Sequence, residues 1–457
     1  MSKINVSDTK SLEYLDRYME GVKRRNPGEP EFHQAVFEFA STIFPFIKDK
    51  PIYHENQILE RMAEPERVIY FRVPWTDDAG NIRINRGFRV QFNSAIGPFK
   101  GGIRFHPSVN LSILKFLGYE QTFKNSLTGL PMGGGKGGAN FNPRGKSDNE
   151  VMRFCQSFIT ELYRHIGEDT DVPAGDIGVG GREIGYMFGQ YKRITNKFVG
   201  VLTGKGLEFG GSQLRTEATG YGAVFFLRNM LDAHGETIEG KKVLISGAGN
   251  VATHAAEKLL QLGAKPITLS DSGGLIHSPN GFTQEQIDWV KTLKIQKRGR
   301  VAEAAAEFPD ISFHENSNPW KVNADCAIPS ATQNEITAAD AKNMIGNGVI
   351  AVAEGANMPC EQTAVEIFQE AEVLFGPAKA VNAGGVGVSG LEMSQNSARI
   401  SWQPERLKAL LENMMSDIHA SCVEHGAKPK GPVDYVSGAN IAGFVKVADA
   451  MLSYGHV

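Results

Sequence analysis

The sequence is poor in cysteine, has no surplus of one charge sign and contains no long apolar run. Among its 457 residues only Cys155, Cys326, Cys360 and Cys422 are cysteines. They are far apart, with no CxxC pair and no histidines at finger spacing. That excludes a dense disulfide framework and argues against structural zinc, so no metal is expected. Reduced, buried thiols fit a cytoplasmic location. Lys plus Arg number 48 against 51 Asp plus Glu, a formal net charge of −3. Without a basic excess, nucleic acid is not an expected partner. No segment approaches the ~20 apolar residues that span a bilayer. The opening MSKINVSDTK lacks the apolar core of a signal peptide, and no membrane partner is expected. Internal repeats and disordered linkers are missing too.

What the chain does have is glycine, 51 residues of it, clustered in short loops. Its length predicts two or three domains with sizeable cores. Helical spacing places Leu12, Leu15 and Met19 on one face, and Phe32, Val36, Phe37 and Ala40 on another. Val68–Val73 and Arg83–Phe92 alternate like strands and flank the polar turn Thr76–Asn81. A glycine-punctuated region follows from Gly97 to Gly211, with helices expected at Leu111–Ser126 and Asn149–Ile166. Beyond it, short apolar strands (Lys242–Ser246, Pro266–Ser270, Cys326–Ile328, Val349–Ala353, Glu372–Phe375) alternate with helices. That rhythm predicts a parallel, doubly wound sheet. Pro404–His425 and Ile441–Tyr454 read as helices.

The strongest generic motif is Val243-Leu-Ile-Ser246-Gly247-Ala-Gly249-Asn250-Val251-Ala252. It is GxGxxA, directly after a strand and directly before a helix. Gly247 makes the tight turn, Gly249 admits a pyrophosphate, and Ala252 lets helix and strand pack closely. The helix N-terminus offers unpaired N–H groups to phosphate. The next strand ends at Asp271, roughly 20 residues on, where a ribose-binding acid belongs. The string Gly178-Val-Gly180-Gly181 follows no apolar strand and is set aside.

Three lysines stand among glycines or small residues: Lys100 in Gly97-Pro-Phe-Lys-Gly-Gly, Lys124 in Thr122-Phe-Lys-Asn-Ser, and Lys136 in Met132-Gly-Gly-Gly-Lys-Gly-Gly. Glycine flanks mark places where the backbone approaches something closely, an anion or a carbonyl. A P-loop is excluded, because Lys136 lies one residue too far from Gly129 and Gly137 replaces the metal-binding hydroxyl. Asp176, in Val172-Pro-Ala174-Gly-Asp-Ile-Gly, has no local basic partner. It reads either as an Asx-turn residue or as a proton-moving carboxyl whose pKa burial raises. Ser389, in Gly384-Gly-Val386-Gly-Val-Ser-Gly, reads alone as a loop serine. Asn357 and Asn382 follow strand-like segments, where ligand contacts collect.

These segments closely resemble the glutamate dehydrogenases. The resemblance is carried by Arg89-Val-Gln-Phe-Asn, Gly97 to Pro107, Pro131 to Gly138, Val172 to Asp176, Glu217-Ala-Thr219-Gly-Tyr-Gly, Ala331-Thr332-Gln333-Asn334 and Asn382 to Gly390. It runs from about residue 10 to the C-terminus and fits the shorter bacterial and fungal class, near this chain's 457 residues. It implies an α/β fold of two domains, a Rossmann-type cofactor domain and a mixed α/β substrate domain, flanking a cleft. The implied limits are 1–205 for substrate binding and oligomerisation, 206–431 for the cofactor, and 432–457 for a helix returning to the first domain. A homohexamer is implied as well. The implied substrates are L-glutamate, 2-oxoglutarate and ammonium.

By motif match, Lys136 and Asp176 resemble the family's catalytic pair. Lys124 resembles the lysine that binds the α-carboxylate. Lys100 and Ser389 resemble the holders of the side-chain carboxylate, with Ala174 and Val386 beside them. Thr219, Ser246, Gly247, Gly249, Asn250, Val251, Ser270, Asp271, Lys294, Ala331, Thr332, Gln333, Asn357 and Asn382 are the expected cofactor residues. A diacid needs separated cationic anchors, and a desolvated lysine among other cations works as a base or an electrostatic stabiliser. One departure stands out: Thr216 replaces the proline common in the family's Arg-Pro-Glu-Ala-Thr-Gly, which bears on loop stiffness.

The dinucleotide is read two ways. By the generic rule Asp271 binds a ribose 2′-OH and points to NAD. Leu269-Ser-Asp-Ser272 instead resembles NADP-linked members. Lys291, Lys294, Lys297, Arg298 and Arg300 then reach a 2′-phosphate, unless that stretch is only a solvated helix end. NADP is the expected cofactor. A branched-chain or aromatic amino-acid dehydrogenase, and an inactive nucleotide-binding scaffold, are the alternative readings.

Overall fold

Alternation carries directly into the first hairpin. Strands β1 (Arg67–Thr76) and β2 (Ile82–Asn93) pair antiparallel, from Arg67 opposite Gln91 to Thr76 opposite Ile82. The computed structural model describes residues 9–456; the Leu12 side chain lies outside the described residues. The glycine-punctuated region holds three further strands, β3 (Phe99–Phe105), β4 (Gly134–Ala139) and β5 (Asp171–Gly175). The five form one mixed sheet in the order β1-β2-β4-β3-β5. Low glycine propensity hides β3 and β4 from sequence patterning. Their glycines are required by close approach: a Cβ on Gly101 would lie 1.7 Å from the Gly135 carbonyl oxygen.

Each face of this sheet buries its own core. On one face Val90 and Phe92 meet Phe32, Phe39, Tyr119 and Phe123 from the helices Pro30–Ile47 and Leu111–Leu127. Phe39 stacks on Phe123 at 3.8 Å. Ile441, Phe444, Val447 and Met451 of the final helix, Tyr435–Tyr454, join that core. On the other face Ile103 and Phe105 meet Phe154 and Phe158 of the helix Asp148–Leu162. Each such buried aromatic contributes roughly 1.5–3 kcal/mol.

The second half contributes β6 (Lys242–Ile245), β7 (Lys265–Pro266), β8 (Thr268–Asp271), β9 (Gly274–His277), β10 (Ser312–Glu315), β11 (Cys326–Ile328), β12 (Ala351–Ala353) and β13 (Leu374–Gly376). The order β13-β12-β11-β6-β7 is a parallel sheet, with a small antiparallel sheet β10-β9-β8 beside it in sequence. Strand order reverses between β6 and β11, which makes their carboxyl ends a topological switch point. The four cysteines are buried and free. Burial pushes the thiols of Cys326 and Cys422 up to about 12.

The chain divides into two compact units. Among the described residues one holds 9–213, 389–404 and 440–456, and the other holds 214–388 and 405–439. This differs from a continuous cofactor domain over 206–431. One tie that goes with this division is Glu392, on the helix Gly384–Ala398. Its carboxylate accepts the Gly204 N–H at 2.9 Å and pairs with the Lys205 ammonium at 2.8 Å. Both side chains are buried, so this stretch belongs with residues 200–213. Thr216 lies in the turn before the helix Ala218–Asp232.

Candidate active site

In the first unit, period-two geometry puts Lys100, Gly102 and Arg104 on one face of β3. The register Ile103–Gly137 sets Lys136 of β4 beside Gly102 on that face. Lys100 lies opposite Val172 of β5, and Gly102 opposite Ala174. Asp176 follows at the end of β5. Gly102 keeps the floor open, since a Cβ there would lie 2.8 Å from the Asp176 Cβ.

The Asp176 carboxylate accepts the Arg104 Nε–H at 2.7 Å and lies 3.2 Å from the Lys136 ammonium. This corrects the expectation that burial raises its pKa. Burial does push it up, but Lys136 and Arg104 together outweigh burial and hold it below the ordinary carboxylate range. Arg104 arrives from the adjacent strand β3 and Lys136 from β4 beyond it, so no local sequence feature announces them. Lys136 behaves as expected. Burial drives its pKa down and the nearby Arg104 and Arg89 charges add to that, against the opposing pull of Asp176. On the sheet's other face Arg89 and Asp171 form a fully buried ion pair.

Lys100 is fully buried and donates to the Thr203 hydroxyl at 2.7 Å and the Val172 carbonyl at 3.0 Å. Lys124 stands, half-buried, in the last turn of the helix Leu111–Leu127, which lies on the Lys136 face. Ser389 is buried on the helix Gly384–Ala398 and is not a loop serine. Glycine disguises that helix, and close packing requires it: a Cβ on Gly390 would lie 2.5 Å from Leu130 Cδ1. Val386 is on the same helix, half-buried. The structure thus joins Lys136, Asp176, Lys100 and Ala174 on one sheet. Sequence reasoning missed Arg104 and Thr203. The alternation Lys100, Gly102, Arg104 was the available signal for Arg104.

In the second unit the GxGxxA turn takes the expected form. Gly247 has φ +81°, a region costly for other residues, and its N–H donates to the Ser270 hydroxyl at 2.9 Å. Gly249 caps the helix Asn250–Gln261, whose first turn carries Asn250 and Val251 exposed or half-buried. Ala331, Thr332 and Gln333 are exposed in the loop after β11. The Asn382 side-chain amide donates to Asn357 Oδ1 at 2.9 Å, so those two are brought together. Thr219 stands in the first turn of the helix Ala218–Asp232.

Asp271 departs from the generic rule. Its carboxylate pairs with Lys294 at 2.9 Å and accepts the N–H groups of Gly273 and Val301. Burial pushes its pKa up, but Lys294 and these amides hold it below the usual range. Arg300 lies 4.0 Å away and donates to Ser272. Lys294 paired with this carboxylate, and Arg300 4.0 Å from it, offset its repulsion of a 2′-phosphate, and the Ser272 hydroxyl stands beside them. Ser270 sits inside the turn, buried. The switch point, the phosphate-ready helix end and this basic corner fit a phosphorylated dinucleotide.

Residues 210–455 match the Glutamate/Leucine/Phenylalanine/Valine dehydrogenase family, and residues 65–193 match that family's dimerisation domain. The chain belongs to that family. It is 58% identical to the NAD(P)-specific glutamate dehydrogenase of Xylanibacter ruminicola, over 96% of this chain and 98% of that protein. It is 57% identical to the NADP-specific glutamate dehydrogenase of Escherichia coli K12, with the same coverage. The crystal structure of Plasmodium falciparum glutamate dehydrogenase superposes with a TM-score of 0.96 at 50% identity, covering 100% of this chain and 98% of that one. Among the described residues no helix is long and apolar enough to cross a membrane.

Proposed function

We propose that this chain is an NADP-linked glutamate dehydrogenase, interconverting L-glutamate with 2-oxoglutarate and ammonium. The observation that carries the reading is the Lys136–Asp176 pair at 3.2 Å, on a sheet face that also presents buried Lys100. A bound nicotinamide dinucleotide supplies or accepts the hydride. The chain's own residues do the rest. Lys100 and Ser389 hold the side-chain carboxylate, and Lys124 holds the α-carboxylate, so the diacid is fixed at both ends. Lys136, its pKa lowered by burial, gives up a proton more readily than an exposed lysine and, while protonated, stabilises oxyanion charge at the reacting carbon. Asp176 passes a proton to and from the substrate nitrogen, with Arg104 holding its carboxylate. Ala174, on β5 opposite Gly102, lines the substrate side of this sheet face.

The unit containing β1–β5 takes the substrate and the unit containing β6–β13 takes the dinucleotide. The buried Lys100 ammonium supports glutamate over apolar amino acids, because it penalises an apolar side chain placed against it. The matched dimerisation domain supports an oligomer, which we take to be a homohexamer working in the cytoplasm. The NADP-specific relative and the pairing of Asp271 with Lys294 support NADP over NAD.

Initial rates of reductive amination test the reading. Purified protein with ammonium receives 2-oxoglutarate or 4-methyl-2-oxopentanoate, with NADPH or NADH. Rapid turnover of 2-oxoglutarate with NADPH is the expected result. Preference for NADH would restore the generic rule at Asp271, and preference for the branched oxo acid would overturn the Lys100 assignment.

A further inference from the structure

We infer that Glu335 is a positioning residue of the dinucleotide site, an inference that rests on the proposed reading of the β6–β11 edge. One oxygen of its carboxylate, Oε1, accepts three hydrogen bonds: from the Ser246 hydroxyl at 2.9 Å, the Ala331 N–H at 3.0 Å and the Thr332 N–H at 3.2 Å. Ser246 belongs to the turn after β6, and Ala331 and Thr332 to the loop after β11. The Ser246 hydroxyl also accepts the Ser330 N–H at 2.8 Å. A single carboxylate therefore ties together both loops of the switch point.

The tie is anchored from below. The Glu335 carbonyl accepts the indole N–H of fully buried Trp320 at 3.3 Å. On either side, Asn334 and Ile336 donate to the Met358 and Pro359 carbonyls, both at 2.9 Å. The loops also touch: a Cβ on Gly247 would lie 3.0 Å from the Ser330 carbonyl oxygen. A shift of the β11 loop is therefore felt at the first glycine of the GxGxxA turn. Burial raises the Glu335 pKa and outweighs the three hydrogen bonds, which lower it.

The arrangement also assigns roles. The Ala331 and Thr332 N–H groups point at Glu335, so the dinucleotide phosphates are left to the N-terminus of the helix Asn250–Gln261. Ala331 and Thr332 then serve the dinucleotide through position and surface, not through donated backbone hydrogen bonds. Sites held by a supporting layer of hydrogen bonds lose function when that layer is loosened, even though the touching residues remain.

The test is fluorescence titration of the purified full chain with NADPH, alongside steady-state kinetics. Glu335→Ala is expected to raise the NADPH Kd and KM about tenfold, while the KM for 2-oxoglutarate changes by less than about twofold. Glu335→Gln keeps an acceptor oxygen in place and is expected to stay within about threefold of wild type. Ser246→Ala, which removes one strand of the tie without burying a lone charge, is expected to weaken NADPH about threefold. Wild-type Kd in both Glu335→Ala and Ser246→Ala would overturn the inference, as would an equal loss of 2-oxoglutarate affinity. Wild-type protein that binds neither NADPH nor NADH would take down the dinucleotide reading and this inference with it.

Discussion

The two units use charge in opposite ways. In the β1–β5 unit, Lys136 of β4, Arg104 of β3 and Asp176 at the end of β5 converge on one face, where Lys136 and Arg104 hold the Asp176 pKa down and burial lowers that of Lys136. In the β6–β13 unit, Asp271, Lys294 and Glu335 mostly shape loops: one pair neutralises a corner, and one carboxylate ties two turns. On the proposed reading, the first arrangement serves the reaction and the second the fit of the dinucleotide. Losing a member should therefore cost rate in the first unit and dinucleotide affinity in the second.

The largest expected effect is on rate. Asp176→Asn should lower kcat about 10²- to 10⁴-fold with modest change in either KM, measured by initial rates at saturating substrates. A comparable rise in the NADPH KM alone would erase the distinction between the units. Next comes stability. Glu392→Ala leaves the buried Lys205 ammonium without its partner, and burial already lowers that lysine's pKa. A loss of about 3–5 kcal/mol in urea unfolding is expected. Glu392→Ala with unchanged stability would contradict the weight given to this buried pair as a tie between residues 389–404 and residues 200–213. A smaller effect is expected from Arg300→Ser. It should cut the preference for NADPH over NADH about tenfold, roughly 1.4 kcal/mol, while leaving kcat near wild type. An unchanged preference would reduce the basic stretch to a solvated helix end.

The fold was legible wherever pattern is local. Alternation in β1 and β2, the apolar β6 and the GxGxxA turn all stand where the residues place them. The glycine-rich β3, β4 and the helix Gly384–Ala398 were not legible, because their glycines answer to backbone approaches made by distant segments. The same divide runs through the candidate site. Lys100, Lys136 and Asp176 stood out by their glycine contexts and by family resemblance. Their partners did not. Arg104 reaches Asp176 across 72 positions of sequence, and Thr203 reaches Lys100 across 103. A carboxylate with no basic neighbour in sequence gives the wrong sign of pKa shift for that reason.

The most direct test of the central claim, that charges brought by other strands of the sheet set the chemistry at Asp176, is the pH dependence of kcat/KM for 2-oxoglutarate in wild type and Arg104→Met. Removing Arg104 takes away one of the two cations that hold Asp176 down, so its pKa must rise. Activity that needs the ionised carboxylate is retained above that pKa and lost as pH falls through it. The acid limb of the variant should therefore move to higher pH, with the alkaline limb, governed by Lys136, moving upward as well. Superimposable profiles, at any absolute rate, would contradict the account.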